Sequence, residues 1–112
     1  PYSQAIQIGN LIFVAGQGPA NPVTRKVESA DIQDQTRQTL ENVKAILAAA
    51  GASMTNIVKT TCYLRDMNDF QRFNEVYATY FEDPYPARTT IQAARLPGDI
   101  GVEIDVIAYL PE

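Results

Sequence analysis

Arg88 is placed where a strand is predicted to begin, directly after the segment Tyr85-Pro86-Ala87. Pro86 fixes its own φ angle and biases Tyr85 towards extended backbone, so the start of the strand is stiff and Arg88 points in a defined direction. A guanidinium held in this way can bind a carboxylate through two parallel hydrogen bonds. The more common role of an arginine at such a position is a solvated pair with a surface acid.

Glu103 lies inside the apolar segment 102–108, and strict alternation places it on the face opposite the aliphatic side chains of that segment. A partly buried carboxylate has its pKa tuned by its surroundings, and it can orient a water molecule or move a proton. Asp105 shares this face, roughly 6.6 Å away by the strand rise. An interface salt bridge explains Glu103 equally well, and a glycosidase-like pair is disfavoured because the chain offers little loop and aromatic surface.

The sequence excludes several kinds of catalytic or binding site. The chain contains no histidine, which rules out Ser-His-Asp and Cys-His relays and histidine-ligated zinc within the chain. Its one cysteine, Cys62, alternates with Val58, Thr60 and Leu64 and is predicted to be a small buried hydrophobe. The Gly16-x-Gly18 segment lacks the third glycine of a nucleotide-binding fingerprint and indicates a backbone bend.

Seven regular elements are predicted to position these side chains. Gly9-Asn10 separates two strands, Gly51 ends the first helix, Asn68 begins the second helix as its N-cap, and Pro97-Gly98-Asp99 separates the last two strands. The strands are predicted at residues 3–8, 11–15, 57–65, 88–94 and 102–109, and the helices at residues 31–50 and 68–82. The order ββαβαββ predicts one α+β domain over residues 1–112, with a mixed sheet.

Right-handed crossovers place both helices on one face of the sheet. The other face also carries apolar residues, such as those of the strand at residues 11–15 and Ile107 and Tyr109 of the last strand. Two helices cannot cover both faces, so the second face is predicted to be buried by further copies of the chain. The sequence therefore predicts a homo-oligomer.

The charge balance argues against nucleic acid as the main partner. Nine Lys and Arg face thirteen Asp and Glu, which gives a net charge of −4 and a pI near 4.7. Proteins that bind phosphate backbones gather basic residues on one face, whereas these are scattered. No apolar run is long enough to cross a membrane and no signal peptide is visible, so the expected location is the cytoplasm.

Several segments together resemble the RidA/YjgF family of reactive intermediate deaminases, also called the L-PSP endoribonuclease family. The matching segments span the whole chain in order. They are Pro1-Tyr2-Ser3-Gln4-Ala5, Ala15-Gly16-Gln17, Asn42-Val43-Lys44-Ala45-Ile46-Leu47, Ile57-Val58-Lys59-Thr60-Thr61, Asp69-Phe70, Asn74-Glu75-Val76-Tyr77, Pro86-Ala87-Arg88, Leu96-Pro97 and Val102-Glu103-Ile104.

The resemblance implies a chorismate-mutase-like fold, assembled as a homotrimer with clefts between neighbouring subunits. It further implies that Arg88 binds the substrate carboxylate and that Glu103 positions the attacking water. Other residues that it places at the cleft are Tyr2, Gly16, Asn74 and Thr90, the last standing where many relatives have cysteine. No cofactor and no metal are implied.

The implied reaction is hydrolysis of 2-imino acids, formed from enamines such as 2-aminoacrylate, to 2-keto acids and ammonia. An imine is already electrophilic, so a bound carboxylate and one oriented water supply much of the catalysis. Two alternatives remain open: a ribonuclease or translation inhibitor, and a non-catalytic binder of small carboxylates or a chaperone-like trimer. The last of these would need Arg88 but not Glu103.

Overall fold

Five strands form one mixed sheet in the computed structural model, which describes residues 1–111. The elements are β1 (Ala5–Ile8), β2 (Leu11–Gln17), α1 (Ile32–Ala49), β3 (Ile57–Leu64), α2 (Phe70–Ala78), β4 (Ala87–Gln92) and β5 (Val102–Tyr109). The strand order is β1-β2-β5-β3-β4, with β3 and β4 parallel and the other neighbours antiparallel. The element order and the mixed sheet are as predicted from the sequence.

The first helix begins and ends as its sequence indicates. The Asp31 carboxylate accepts a hydrogen bond of 3.0 Å from the backbone N–H of Asp34, which satisfies one of the free donors of the first turn. After the helix, Gly51 takes a φ of +81°, which only glycine adopts freely. Along the buried stripe, Leu40, Val43 and Leu47 are fully buried.

The second helix is shorter than predicted, and the prediction of Asn68 as its N-cap is wrong. The N-cap is Asp69 rather than Asn68, because a 3-10 turn over Met67–Asp69 precedes the helix and the Asp66 carboxylate accepts the N–H of Asn68 at 2.9 Å. The helix ends at Ala78, and the next residues form backbone hydrogen bonds between residues three apart in sequence, as in a 3-10 helix. Phe73, Tyr77 and Phe81 are buried on one side of this segment, and successive rings contact each other in tilted pairs with centroids 5.6 and 4.6 Å apart.

Both helices pack on one face of the sheet, and one core joins them to it. This helix face consists of the buried side chains of β2, β3 and β5, among them Ile12, Cys62 and Ile104. The prediction for Val58 was wrong, because its side chain is 47% exposed. The pairing of β3 with β5 shifts register between Ile57 and Lys59, and this bulge breaks the alternation at the start of the strand.

The opposite side, called here the open face, carries a row of exposed apolar side chains. The register aligns Ile6 with Phe13, Ile8 with Leu11, and Leu11 with Tyr109 across three neighbouring strands. These five side chains are between 39% and 66% exposed. A patch of this kind is typical of a surface that another protein covers. Within the described residues, no helix is both long and apolar enough to span a membrane.

Candidate functional site

Arg88 lies on the helix face, at the edge of the sheet. The parallel register pairs Arg88 with Thr60, whose side chain is buried beneath the helices, so Arg88 points towards α2. Its Nη1 donates a hydrogen bond of 2.6 Å to Asn74 Oδ1. Its Cζ atom lies 4.7 Å from the Tyr77 ring centroid and 5.4 Å from that of Phe70, within the range of cation–π attraction.

The partners of Arg88 are all neutral, so its positive charge stays uncompensated. Within the described residues, the ion pairs involve Arg37, Arg72 and Arg95, and none reaches Arg88. The structure therefore does not show the surface ion pair that the sequence also allowed for Arg88. An exposed guanidinium has five N–H donors, and one of them is directed to Asn74. The others are available for an anionic ligand.

The ring beneath Arg88 is itself held in place. The Tyr77 hydroxyl shares a buried hydrogen bond of 2.8 Å with the Thr60 hydroxyl, and burial is the main cause that raises the pKa of Tyr77. Thr90 follows Arg88 by two residues and pairs with Cys62, so it lies on the same side of the sheet. Its hydroxyl oxygen is buried and has no hydrogen-bond partner among the described residues.

Glu103 lies on the open face, as the alternation along β5 predicted. Its strand partner is Tyr63, and its carboxylate packs across Gly16. The pairing of β2 with β5 shifts register between Val14 and Gln17, which places Gly16 in a bulge. A Cβ atom at Gly16 would lie 2.9 Å from Glu103 Cδ. Gly16 is thus required for the side chain of Glu103 to lie where it does.

The environment of Glu103 favours its protonated form. Burial raises the pKa of the Glu103 carboxyl above its ordinary value, and the neighbouring Asp105 charge adds to this effect. The Tyr63 hydroxyl donates a hydrogen bond of 3.2 Å to Asp105 Oδ2. A carboxylate with a raised pKa is a stronger base and can exchange a proton nearer to neutral pH.

Tyr2 is 76% exposed and lines a cavity that Gly16 also borders. This cavity of about 630 Å³ is lined by Tyr2 and Gly16 together with Gln4, Asn42 and Ile46. The Asn42 amide donates to the carbonyl oxygens of Gly18 and Ala20, at 3.0 and 2.8 Å, and so fixes the loop that follows β2.

Five of the six predicted site residues therefore form two groups on opposite sides of the sheet. The arginine group consists of Arg88, Asn74 and Thr90, and the glutamate group consists of Glu103 and Gly16. The sixth residue, Tyr2, shares a cavity with Gly16 that Glu103 does not line. A single chain does not bring Arg88 and Glu103 together. Any site that uses both needs a second copy of the chain.

The sequence reasoning missed the aromatic partners of Arg88. These partners, Phe70 and Tyr77, lie four residues before and three residues after Asn74. That spacing places all three on one helical stripe, which was the available signal. The bond from Tyr63 to Asp105 was also missed, because it depends on the register between β3 and β5. Within residues 1–111, no three His, Cys, Asp or Glu side chains converge as metal ligands.

Comparisons with family models and with known proteins identify the same family. The family model described as endoribonuclease L-PSP matches residues 1–110. A RutC family protein of Pyrococcus horikoshii is 56% identical over 109 residues, which cover 97% of this chain and 86% of that protein. TdcF of Escherichia coli, which is named as a reactive intermediate deaminase, is 47% identical over 111 residues, covering 96% and 85% of the two chains.

Solved structures agree closely with the fold. The crystal structure of Escherichia coli TdcF with bound serine has a TM-score of 0.93 at 46% identity, over 99% of this chain and 89% of that chain. A Thermotoga maritima structure named as an endoribonuclease has a TM-score of 0.96 at 45% identity, over 100% and 88%. The similarity extends through both the arginine and the glutamate groups, and the chain belongs to the RidA/YjgF family, which the endoribonuclease L-PSP model describes.

Proposed function

We propose that this protein is a hydrolytic deaminase that converts 2-imino acids, formed from enamines of the 2-aminoacrylate type, into 2-keto acids and ammonia. The observation that carries the proposal is the uncompensated charge of Arg88, exposed and held by Asn74 and two aromatic rings. Such a group binds a small carboxylate. The named activity of TdcF and the serine bound in its crystal structure support the same class of ligand.

In this mechanism Arg88 binds the substrate carboxylate and Glu103 acts on water. Glu103 accepts a proton from the water as its oxygen adds to the carbon of the protonated imine, which gives a neutral tetrahedral carbinolamine. Glu103 then gives this proton to the nitrogen, and as the C–N bond breaks and ammonia leaves, the carbinolamine hydroxyl passes its proton back to Glu103 and the C=O bond forms. Because the imine is electrophilic from the start, orientation and one proton carrier account for the catalysis.

We further infer that each site is shared between two copies of the chain, within a homotrimer. The arginine and glutamate groups lie on opposite sides of the sheet, and the open face beside Glu103 carries the exposed apolar row. Burying that row against neighbouring copies would bring the Glu103 of one chain towards the Arg88 of the next. Closed cyclic assemblies of this kind use the same interface repeatedly.

The decisive assay follows ammonia and keto acid released from 2-iminopropionate, which a serine dehydratase generates in situ. Wild type should accelerate release, and Arg88→Ala should lower kcat/KM by at least about 100-fold, since about 2.7 kcal/mol of binding to the carboxylate is lost. Arg37→Ala is the matched control, because Arg37 is also exposed but pairs with Asp34 on α1. Equal rates for wild type and Arg88→Ala would refute the proposal.

Subunit mixing tests the shared site separately. Arg88→Ala and Glu103→Ala chains are each expected to be inactive, yet random co-assembly should restore about one quarter of wild-type activity, since one site in four then combines an intact Arg88 with an intact Glu103. A site contained in one chain would give no recovery. A ribonuclease, the reading that the family model's name suggests, would instead show RNA cleavage and salt-sensitive RNA binding.

A further inference from the structure

Asp105 is a charged residue of the open face that the proposed reaction does not yet use. It follows Glu103 by two positions on β5, so the two carboxylates lie on the same side, roughly 6.6 Å apart by the strand rise. Tyr63 lies opposite Glu103 on β3 and donates its hydroxyl diagonally to Asp105 Oδ2 at 3.2 Å. Tyr63 therefore bridges the two acidic positions, beside one and hydrogen-bonded to the other.

No cation among the described residues competes for Glu103. On β3, Lys59 pairs with Ile107, two pairs of residues further along the open face, and its Nζ donates to Thr60 O and Thr89 Oγ1 at 3.2 and 2.9 Å. Arg65, just beyond β3, donates to the Asp99 carbonyl at 3.0 Å. The residues that β1, β2 and β4 present to this face carry no titratable group; they are Ile6, Ile8, Leu11, Phe13, Ala87, Thr89 and Ile91.

We propose that Asp105, held by the Tyr63 hydroxyl, is a positioning residue that governs proton transfer by Glu103. This inference rests on the proposed deaminase function and adds two residues to it. A negative charge fixed close to Glu103 disfavours the ionised form of its carboxyl. Glu103 therefore becomes a stronger base towards the attacking water, which is the step in which it accepts a proton.

Tyr63 matters because it fixes where that charge lies. The hydroxyl is a neutral donor, so it stabilises the Asp105 carboxylate without cancelling its effect on Glu103. Without the donor, the carboxylate is free to rotate away from Glu103. This rotation weakens the repulsion that Glu103 experiences, so loss of Tyr63 acts in the same direction as loss of Asp105.

The pH dependence of kcat/KM tests this role. Activity requires ionised Glu103, so it falls as pH decreases through the pKa of Glu103. Asp105→Asn should move this acid limb to lower pH by about half a unit to one unit, from the Coulomb interaction at that separation. Tyr63→Phe should move it in the same direction by less, and should add nothing to Asp105→Asn. Asp34→Asn, on α1, is the control that leaves the limb in place.

A second readout does not depend on turnover. The Glu103 carboxyl is titrated by carbon NMR in the intact assembly, with thermal unfolding confirming that each variant is folded. A lower Glu103 pKa in Asp105→Asn supports the inference, and an unchanged one overturns it. Wild type that lacks deaminase activity would overturn the proposed function, while this titration would still decide whether Asp105 acts on Glu103.

Discussion

Replacing Gly16 with alanine should separate activity from stability. The new Cβ atom would lie 2.9 Å from Glu103 Cδ and 3.2 Å from Cγ, and closest of all to Oε2. Carbon atoms in contact normally lie about 3.5–4.0 Å apart. The methyl group and the carboxylate therefore cannot occupy these positions together, and one of them has to move.

The structure indicates that Glu103 moves rather than the backbone. Gly16 is not among the glycines with positive φ, which are Gly9, Gly51 and Gly98, so alanine fits the backbone there. The atoms in conflict all belong to the flexible Glu103 side chain. We therefore expect a loss of less than about 1 kcal/mol in folding free energy. A displacement of about 1 Å at a reacting group costs about 100-fold in rate, so kcat/KM should fall by that factor.

Gly18→Ala provides the matched control for this experiment. Its Cβ would lie 2.9 Å from Ile100 Cδ1, an equally close contact that involves an apolar tip and not Glu103. Urea unfolding and the ammonia-release assay are applied to both variants and to Glu103→Ala. The reasoning is refuted if Gly16→Ala keeps wild-type activity while Glu103→Ala is inactive, or if both glycine variants lose activity equally.

Three further outcomes are expected. Tyr77→Phe should cost about 1–2 kcal/mol in urea unfolding, since the buried Thr60 hydroxyl loses its partner, and should change kcat/KM little because the ring beneath Arg88 remains. Cys62 is fully buried and burial raises its pKa to about 11, so at pH 8 it should react with a thiol reagent more than about 100-fold slower than an exposed thiol, until urea unfolds the chain. Glu103→Gln should raise the melting temperature at pH 7.5. The pKa of Glu103 is raised in the folded chain above its ordinary value of 4.5, so the stability that its protonated form contributes is complete only below pH 4.5 and is lost as the pH rises, whereas Gln stays neutral. The difference between Glu103→Gln and wild type should therefore disappear near pH 4, as differential scanning would show.

Local patterns were sufficient for the elements and for one half of the site. Alternation along residues 102–108 placed Glu103 correctly on the face opposite the core. When one face of a strand is buried, the positions of its apolar residues fix the face on which every other side chain lies. Alternation failed at Val58, where a bulge adds a residue to one strand only. A bulge depends on both partners, so the sequence of one strand does not reveal it.

The face of Arg88 could not be derived from its own strand. Apart from Ile91, the other residues of β4 are polar or small and show no apolar alternation, and nearly all of the strand's side chains are exposed. Only the parallel register with β3, which aligns Arg88 with Thr60, decides that it points towards α2. Long-range pairing of this kind is set by the packing of the whole sheet and helices, and the separation of the two halves of the site follows from it.

The location of Arg88 and Glu103 on opposite sides of one sheet affects how activity depends on protein concentration. If two copies must meet to form a site, the isolated chain has no turnover, and specific activity is constant only where assembly is complete. At lower concentrations the rate should rise with a power of the concentration greater than one. An assay at nanomolar enzyme would then underestimate the specific activity of the assembled protein. Slow assembly after dilution would appear as a lag before steady state, and a substrate that contacts both copies would shorten this lag.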